Sequence, residues 1–92
     1  MIFEIVFTLE ALEDIEKLKK TGNKALVKKV FTLVQELKEH PETGTGKPEK
    51  LKYFQQNTWS RRIDRKHRLV YLIDGSKIVV TVLGAYGHYD DK

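Results

Sequence analysis

The 92-residue chain contains no cysteine, so a disulfide framework, thiolate catalysis and a zinc–thiolate site are all excluded. It has no HExxH string, no glycine-rich phosphate loop and no clustered carboxylates. A metal centre and nucleoside-triphosphate chemistry therefore have no motif to rest on, and no cofactor is expected. No apolar run approaches the roughly 20 residues that span a bilayer. The start, MIFEIVFTLEALEDIEKLKK, lacks the basic and long apolar regions of a secretory signal. A cytoplasmic protein with no membrane partner is the expectation. Internal repeats and low-complexity tracts are also missing. With 40% hydrophobic and 33% charged residues, the composition is that of an ordinary folded domain, and the length predicts one domain over residues 1–92.

What is present is an uneven charge. Residues 1–23 carry five acids and three bases, whereas residues 44–68 carry eight bases and two acids. All four arginines (Arg61, Arg62, Arg65 and Arg68) lie in that second stretch. Such a cluster attracts polyanions, although charges decorating a solvated sheet give the same count.

The order of elements follows from periodicity. Residues 2–7 are β-branched and aromatic and predict a strand. Thr8 suits a helix N-cap, Leu12, Ile15 and Leu18 recur at helical spacing, and Gly22 stops that helix. Asn23 caps a second helix whose apolar stripe is Leu26, Val30, Leu33, Val34 and Leu37. It ends near His40, ahead of Pro41. The short turn between the helices makes them antiparallel neighbours. PETGTGKP, residues 41–48, is a loop. Strand-like runs follow at 51–55, 58–64, 67–73 and 77–83. In the 58–64 run, Trp59, Arg61 and Ile63 face one way and Ser60, Arg62 and Asp64 the other. The last run is apolar on both faces, as in an interior strand. The sum is an α+β fold, β-α-α-β-β-β with one extra short strand: two antiparallel helices on one face of a mostly antiparallel sheet.

Three strings can carry chemistry: GKPEKLK (residues 46–52), WSRRIDRKHRLVY (59–71) and GHY (87–89). They supply a carboxylate, a set of guanidinium groups and an imidazole. Those are the parts that cleave an RNA phosphodiester without a metal. A base takes the ribose 2′-hydroxyl proton, an acid protonates the leaving 5′-oxygen, and fixed cations stabilise the charge between them. Arginine suits the last task because its planar fork grips two phosphate oxygens. On pattern alone each part has a structural alternative: Glu49 as a loop ion-pair or capping residue, His88 as a surface histidine, Arg61 and Arg62 as solvated sheet charges. His40 and His67 read as structural, and Trp59 as core or an edge-to-partner contact rather than a base-stacking platform.

Together, TGTGKPEKLK (43–52), WSRRIDRKHRLVY (59–71) and the terminal GHY resemble the YoeB, or Txe, branch of the RelE-like toxins of bacterial toxin–antitoxin pairs. The order and spacing of the three strings hold over nearly the whole chain. The resemblance implies a microbial-ribonuclease-like RelE/YoeB fold. It implies a ribosome-dependent endoribonuclease that cuts messenger RNA in the ribosomal A site, using the substrate's 2′-hydroxyl and no metal. It implies a cognate antitoxin of the YefM/Phd-like kind as partner, beside ribosome and mRNA, and a homodimer, since such toxins often pair.

By position, Glu49 matches the family's general base and His88 its general acid. Arg68, in HRLVY, matches the arginine that stabilises transition-state charge. Arg62, the second arginine of WSRR, and Lys52 match phosphate-holding residues, and Tyr89 matches a tyrosine that orients or stacks on RNA. Arg61, beside Arg62, is grouped with the phosphate contacts. The chain departs from the pattern where Asp90, Asp91 and Lys92 follow the terminal HY, and where Tyr86-Gly87 stands in place of the RY of well-known members. Two other classes compete: a non-catalytic toxin of the same fold that inhibits gyrase, and a plain basic RNA-binding domain.

Overall fold

The computed structural model describes residues 2–77 and 79–86. Its order is β1 (Glu4–Phe7), α1 (Leu9–Lys20), α2 (Lys24–Leu37), β2 (Glu49–Lys50), β3 (Thr58–Arg62), β4 (Arg68–Asp74) and β5 (Val79–Gly84). The strands form one five-stranded sheet in the order β1-β5-β4-β3-β2. β5 pairs parallel with β1 and antiparallel with β4, and the remaining pairs are antiparallel. The sheet is therefore mixed, and the apolar last strand is interior, flanked on both sides.

Both helices start where capping chemistry places them. The Thr8 hydroxyl accepts from the Ala11 N–H, and Asn23 Oδ1 from the Leu26 N–H. Each satisfies one of the first-turn donors that a helix leaves unpaired. Thr8 also donates to the Leu83 carbonyl at 3.2 Å, so one side chain caps α1 and ties it to the end of β5. Thr8→Ala is expected to lower stability by about 0.5–2 kcal/mol, the usual range for a lost cap. A urea titration that moves the midpoint without changing the slope is the check.

The apolar stripe of α2 is buried in full: Leu26, Val30, Leu33, Val34 and Leu37 all join the core. In α1 the buried face is Ala11, Asp14, Ile15 and Leu18, while Leu12, expected to point inward, is half exposed. The stripe is rotated because Asp14 faces in: its Oδ2 accepts from the Ala85 N–H at 3.0 Å, anchoring the chain just after β5. The core between helices and sheet is completed by Ile63, Leu69, Tyr71, Ile73, Val80 and Val82, with Phe3, Ile5, Phe7 and Trp59 packed at its margin.

One predicted strand is displaced. The run at 51–55 is a turn, and the edge strand is the two-residue β2 just before it. Leu51 still donates its N–H to the Thr58 carbonyl, but its side chain is buried and the chain then leaves the sheet. The predicted turns at Asn57 and Asp74-Gly75-Ser76 are present. Asp74 Oδ1 closes the second by accepting from the Ser76 and Lys77 N–H groups. No helix among the described residues is long and apolar enough to cross a membrane.

Candidate functional site

The β2, β3 and β4 register decides which charged side chains meet. Glu49 lies opposite Ser60, Ser60 opposite Val70, and Arg62 opposite Arg68. Directly paired residues share a face of the sheet. Glu49, Ser60, Arg62 and Arg68 therefore stand together on the face away from the helices, and Trp59, Arg61, Leu69 and Tyr71 on the helix side. Ser60 Oγ accepts from Arg68 Nε at 3.0 Å, which leaves the outer edge of that guanidinium, the edge suited to a two-point grip on an anion, without another hydrogen bond among the described residues. Glu49 and Arg62 are exposed, Arg68 half-buried.

Arg62 facing Arg68 is an unfavourable arrangement in itself, since like charges directly opposed on a sheet destabilise it. Water screens the exposed Arg62, and an anion between or above the two would relieve the pair further. No carboxylate of β3 or β4 does this. The nearest one in sequence, Asp64, is committed to its own turn, where its Oδ1 accepts from the Lys66 and His67 N–H groups. Burial works against ionisation of Asp64, yet those two backbone donors outweigh it and hold its carboxyl below the ordinary 3.8.

Arg61 corrects the sequence reading. Its side chain is fully buried, and all five of its N–H groups are taken. Nε donates to the Tyr71 hydroxyl at 3.1 Å. Nη1 donates to Glu36 Oε1 at 3.0 Å and to the Thr45 carbonyl at 3.3 Å. Nη2 donates to the carbonyls of Thr43, at 2.6 Å, and His40. Nothing remains to offer a phosphate. Burial pushes the Tyr71 phenol above 10.0 despite the neighbouring guanidinium, so it stays a donor, and it gives its proton to the Pro41 carbonyl at 2.8 Å.

These contacts seat the loop that carries Glu49. Gly46 lies so close to β3 that a Cβ there would come within 2.8 Å of the Arg62 carbonyl, and its φ is +89°. Its own carbonyl accepts from the Arg62 N–H at 2.7 Å. Only glycine meets both demands. The GTGKPE string is thus a strap, bonded to β3 on one side and to the Arg61 guanidinium on the other, which delivers Glu49 to the sheet edge.

Of the remaining predicted residues, Lys52 is exposed in the turn after β2. His88 and Tyr89 lie outside the described residues. Tyr86, two positions before His88, packs its ring 4.6 Å from that of His67, at the Arg68 end of β4. His67 is buried, as a structural histidine should be. Ser60 is a site residue whose type and position in WSRR point to no task. The signal that finds it is the alternation through Trp59-Ser60-Arg61-Arg62, which puts it on the Arg62 face.

The chain matches the model of the YoeB-like toxins of bacterial type II toxin–antitoxin systems over residues 7–89. It is 40% identical over 58 residues to the toxin YoeB of Escherichia coli K12, covering 63% of this chain and 69% of that one. Among solved structures it is similar to a YoeB/ParE toxin from Agrobacterium tumefaciens, with 37% identity and a TM-score of 0.84, covering 95% of this chain and all of that one. It is similar also to the toxin–antitoxin heterotetramer YoeB–YefM from Staphylococcus aureus, with 33% identity and a TM-score of 0.77, over 97% of this chain and all of that chain. On the matched span, the fold and the shared strings together, the chain belongs to the YoeB-like toxins of bacterial type II toxin–antitoxin systems.

Proposed function

We propose that this toxin is a ribosome-dependent endoribonuclease that cleaves messenger RNA in the A site without a metal. The observation that supports this reading best is the cation pair Arg62–Arg68 on the same sheet face as Glu49. A phosphodiester over that pair puts its charge beside two guanidinium groups that no carboxylate among the described residues pairs with. Glu49 takes the proton of the 2′-hydroxyl, and the oxygen attacks the adjacent phosphorus. His88 protonates the departing 5′-oxygen. The products are a 2′,3′-cyclic phosphate and a 5′-hydroxyl end, so atoms and protons balance. Arg68, oriented by Ser60, neutralises charge on the transition state. Arg62 and Lys52 hold flanking phosphates, and Tyr89 orients the strand. The fold would act as one unit over residues 1–92, in the cytoplasm. A YefM-like antitoxin is the proposed inhibitory partner, since a relative of 33% identity is solved with YefM. A homodimer is the proposed oligomeric state.

Primer extension on a defined message in a translating system tests this. Cuts confined to ribosome-bound message are expected from the wild type. Arg68→Lys keeps the charge but loses the fork and the Ser60 contact. It is expected to lower the single-turnover rate about 10²-fold, as for removal of one oriented transition-state donor, with ribosome binding unchanged. A folded, antitoxin-free wild type that leaves message intact would move the function to gyrase-type inhibition without catalysis.

A further inference from the structure

The connection from β2 to β3 holds a feature with no part in the strap or the sheet face. Its ends are fixed: the Leu51 N–H donates to the Thr58 carbonyl at 2.9 Å, and the Asn57 carbonyl accepts from the Ile73 N–H at 3.0 Å. Leu51 is 3% exposed at its root. Between these anchors two aromatic rings stay out of the core, Tyr53 at 72% and Phe54 at 39% exposure. Phe54 lines a groove of about 500 Å³ with Lys50, Lys52, Gln55, Gln56 and Asn57, inside the range of about 300–1,000 Å³ typical of small-ligand sites. The wall is rigid on one side, because Asn57 Oδ1 is already taken by the Trp59 indole N–H at 2.8 Å. The Gln55 and Gln56 amides are exposed. Its lining begins at Lys50, which lies opposite Trp59 and so on the helix side of the sheet edge, the side that Glu49 faces away from.

We propose that this groove is a nucleobase subsite for single-stranded RNA, which takes a base of a strand that crosses the β2 edge from the Glu49 face. Two adjacent exposed aromatic rings beside a groove form a contiguous apolar patch of the kind that marks a binding surface. Here the chemistry around them selects the occupant. A base offers a π-face to Phe54, its edge offers donors and acceptors to Gln55 and Gln56, and its phosphates meet Lys50 and Lys52. Unpaired RNA bases are read in this manner, by stacking and by contacts to their edges. Phe54 supplies affinity for any base. The two amides supply preference among bases, so the loop sets sequence preference near the cut. Tyr53, outside the groove lining, extends the stacking surface to the next base.

The proposal rests on the RNA-cleaving reading above, and two readouts separate their failures. In the first, Glu49→Gln protein, which binds without cutting, is titrated with a single-stranded RNA carrying 2-aminopurine. Stacking quenches that base's fluorescence. Quenching is expected on binding, with affinity about tenfold weaker and quenching lost in Phe54→Ala, in keeping with the usual worth of one base–aromatic stack. Phe54→Tyr is expected to keep both. Phe54→Leu, which retains the apolar contact but no π-face, should behave as Phe54→Ala. Tyr53→Ala, at an exposed position that does not threaten folding, should show a smaller loss. In the second, ribosome cleavage is mapped for wild type, Phe54→Leu and Gln56→Ala: KM rises in the first variant, and the preferred base near the cut changes in the second. Cleavage with unaltered KM and base preference in both variants, or quenching unaltered in Phe54→Leu, overturns the subsite and leaves the nuclease standing. Wild type that quenches but never cuts overturns the nuclease reading and leaves the subsite.

Discussion

Glu49→Gln is expected to lower messenger-RNA cleavage about 10²–10⁴-fold, the usual worth of a general base, with the melting temperature unchanged. The two halves of that expectation have different origins. Glu49 is exposed on β2 and takes no part in the core, so its loss belongs with surface substitutions, within about 0.5 kcal/mol. Its chemical value comes from its place opposite Ser60, on the face shared with Arg62 and Arg68. Glutamine keeps the size and polarity of the side chain and cannot take the 2′-hydroxyl proton. Glu49→Asp keeps the base but withdraws it by one methylene. A misplacement near 1 Å costs about 10²-fold in rate, so aspartate should fall between wild type and glutamine. Single-turnover rates on programmed ribosomes, taken beside thermal melts, measure both halves. Glutamine and aspartate variants that cut at the wild-type rate would remove Glu49 from the chemistry.

The two adjacent arginines of WSRR show what a sequence can and cannot reveal. Composition counts Arg61 and Arg62 alike, and a basic cluster invites a single role for both. The alternation of a strand already separates them, because neighbours on β3 must face opposite ways. What it cannot say is which face carries the helices, and so which arginine is buried. That depends on the loop at 40–48 folding back over β3, a contact between residues far apart in sequence. The same holds for Leu12. Its helical spacing is right, but the buried Asp14 bonded to Ala85 rotates the stripe, and no local pattern announces a carboxylate facing the core. The caps at Thr8 and Asn23 and the stripe of α2 were legible because they depend on residues within one or two turns. The strand expected at 51–55 was not. A run with Leu51, Tyr53 and Phe54 satisfies strand periodicity, whereas edge pairing with β3 stops at Leu51. The aromatics that suggested a strand are the ones left exposed.

Arg61→Met is expected to destabilise the fold by about 3–5 kcal/mol, the range for removing the buried member of a hydrogen-bonded ion pair, here one whose carboxylate partner is a quarter exposed. Against a total of about 5–15 kcal/mol, this leaves a marginal protein. At about 4–8 °C per kcal/mol for a domain of this size, the melting temperature should fall by about 12–40 °C. The cause is what Arg61 leaves behind: the Tyr71 hydroxyl, the carbonyls of His40, Thr43 and Thr45, and Glu36, all deprived of a donor. Lysine restores the charge beside Glu36, but three donors on one nitrogen cannot span that set. Arg61→Lys should therefore recover only part of the loss. Burial disfavours ionised Glu36, but the Thr45 hydrogen bonds and the Arg61 guanidinium outweigh it and hold its carboxyl below the ordinary 4.5. The linkage then has a definite sign. The stabilisation is fully present above about pH 4.5 and is lost as pH falls through the lower folded value. Glu36→Gln should flatten that part of the acid unfolding curve. Because the same hydrogen bonds seat the strap, hydrogen exchange in Arg61→Lys should quicken at residues 43–50 before the rest of the sheet opens, and cleavage should fall with it. Wild-type protection there, with cleavage unchanged, would show that the strap holds Glu49 without its buried arginine.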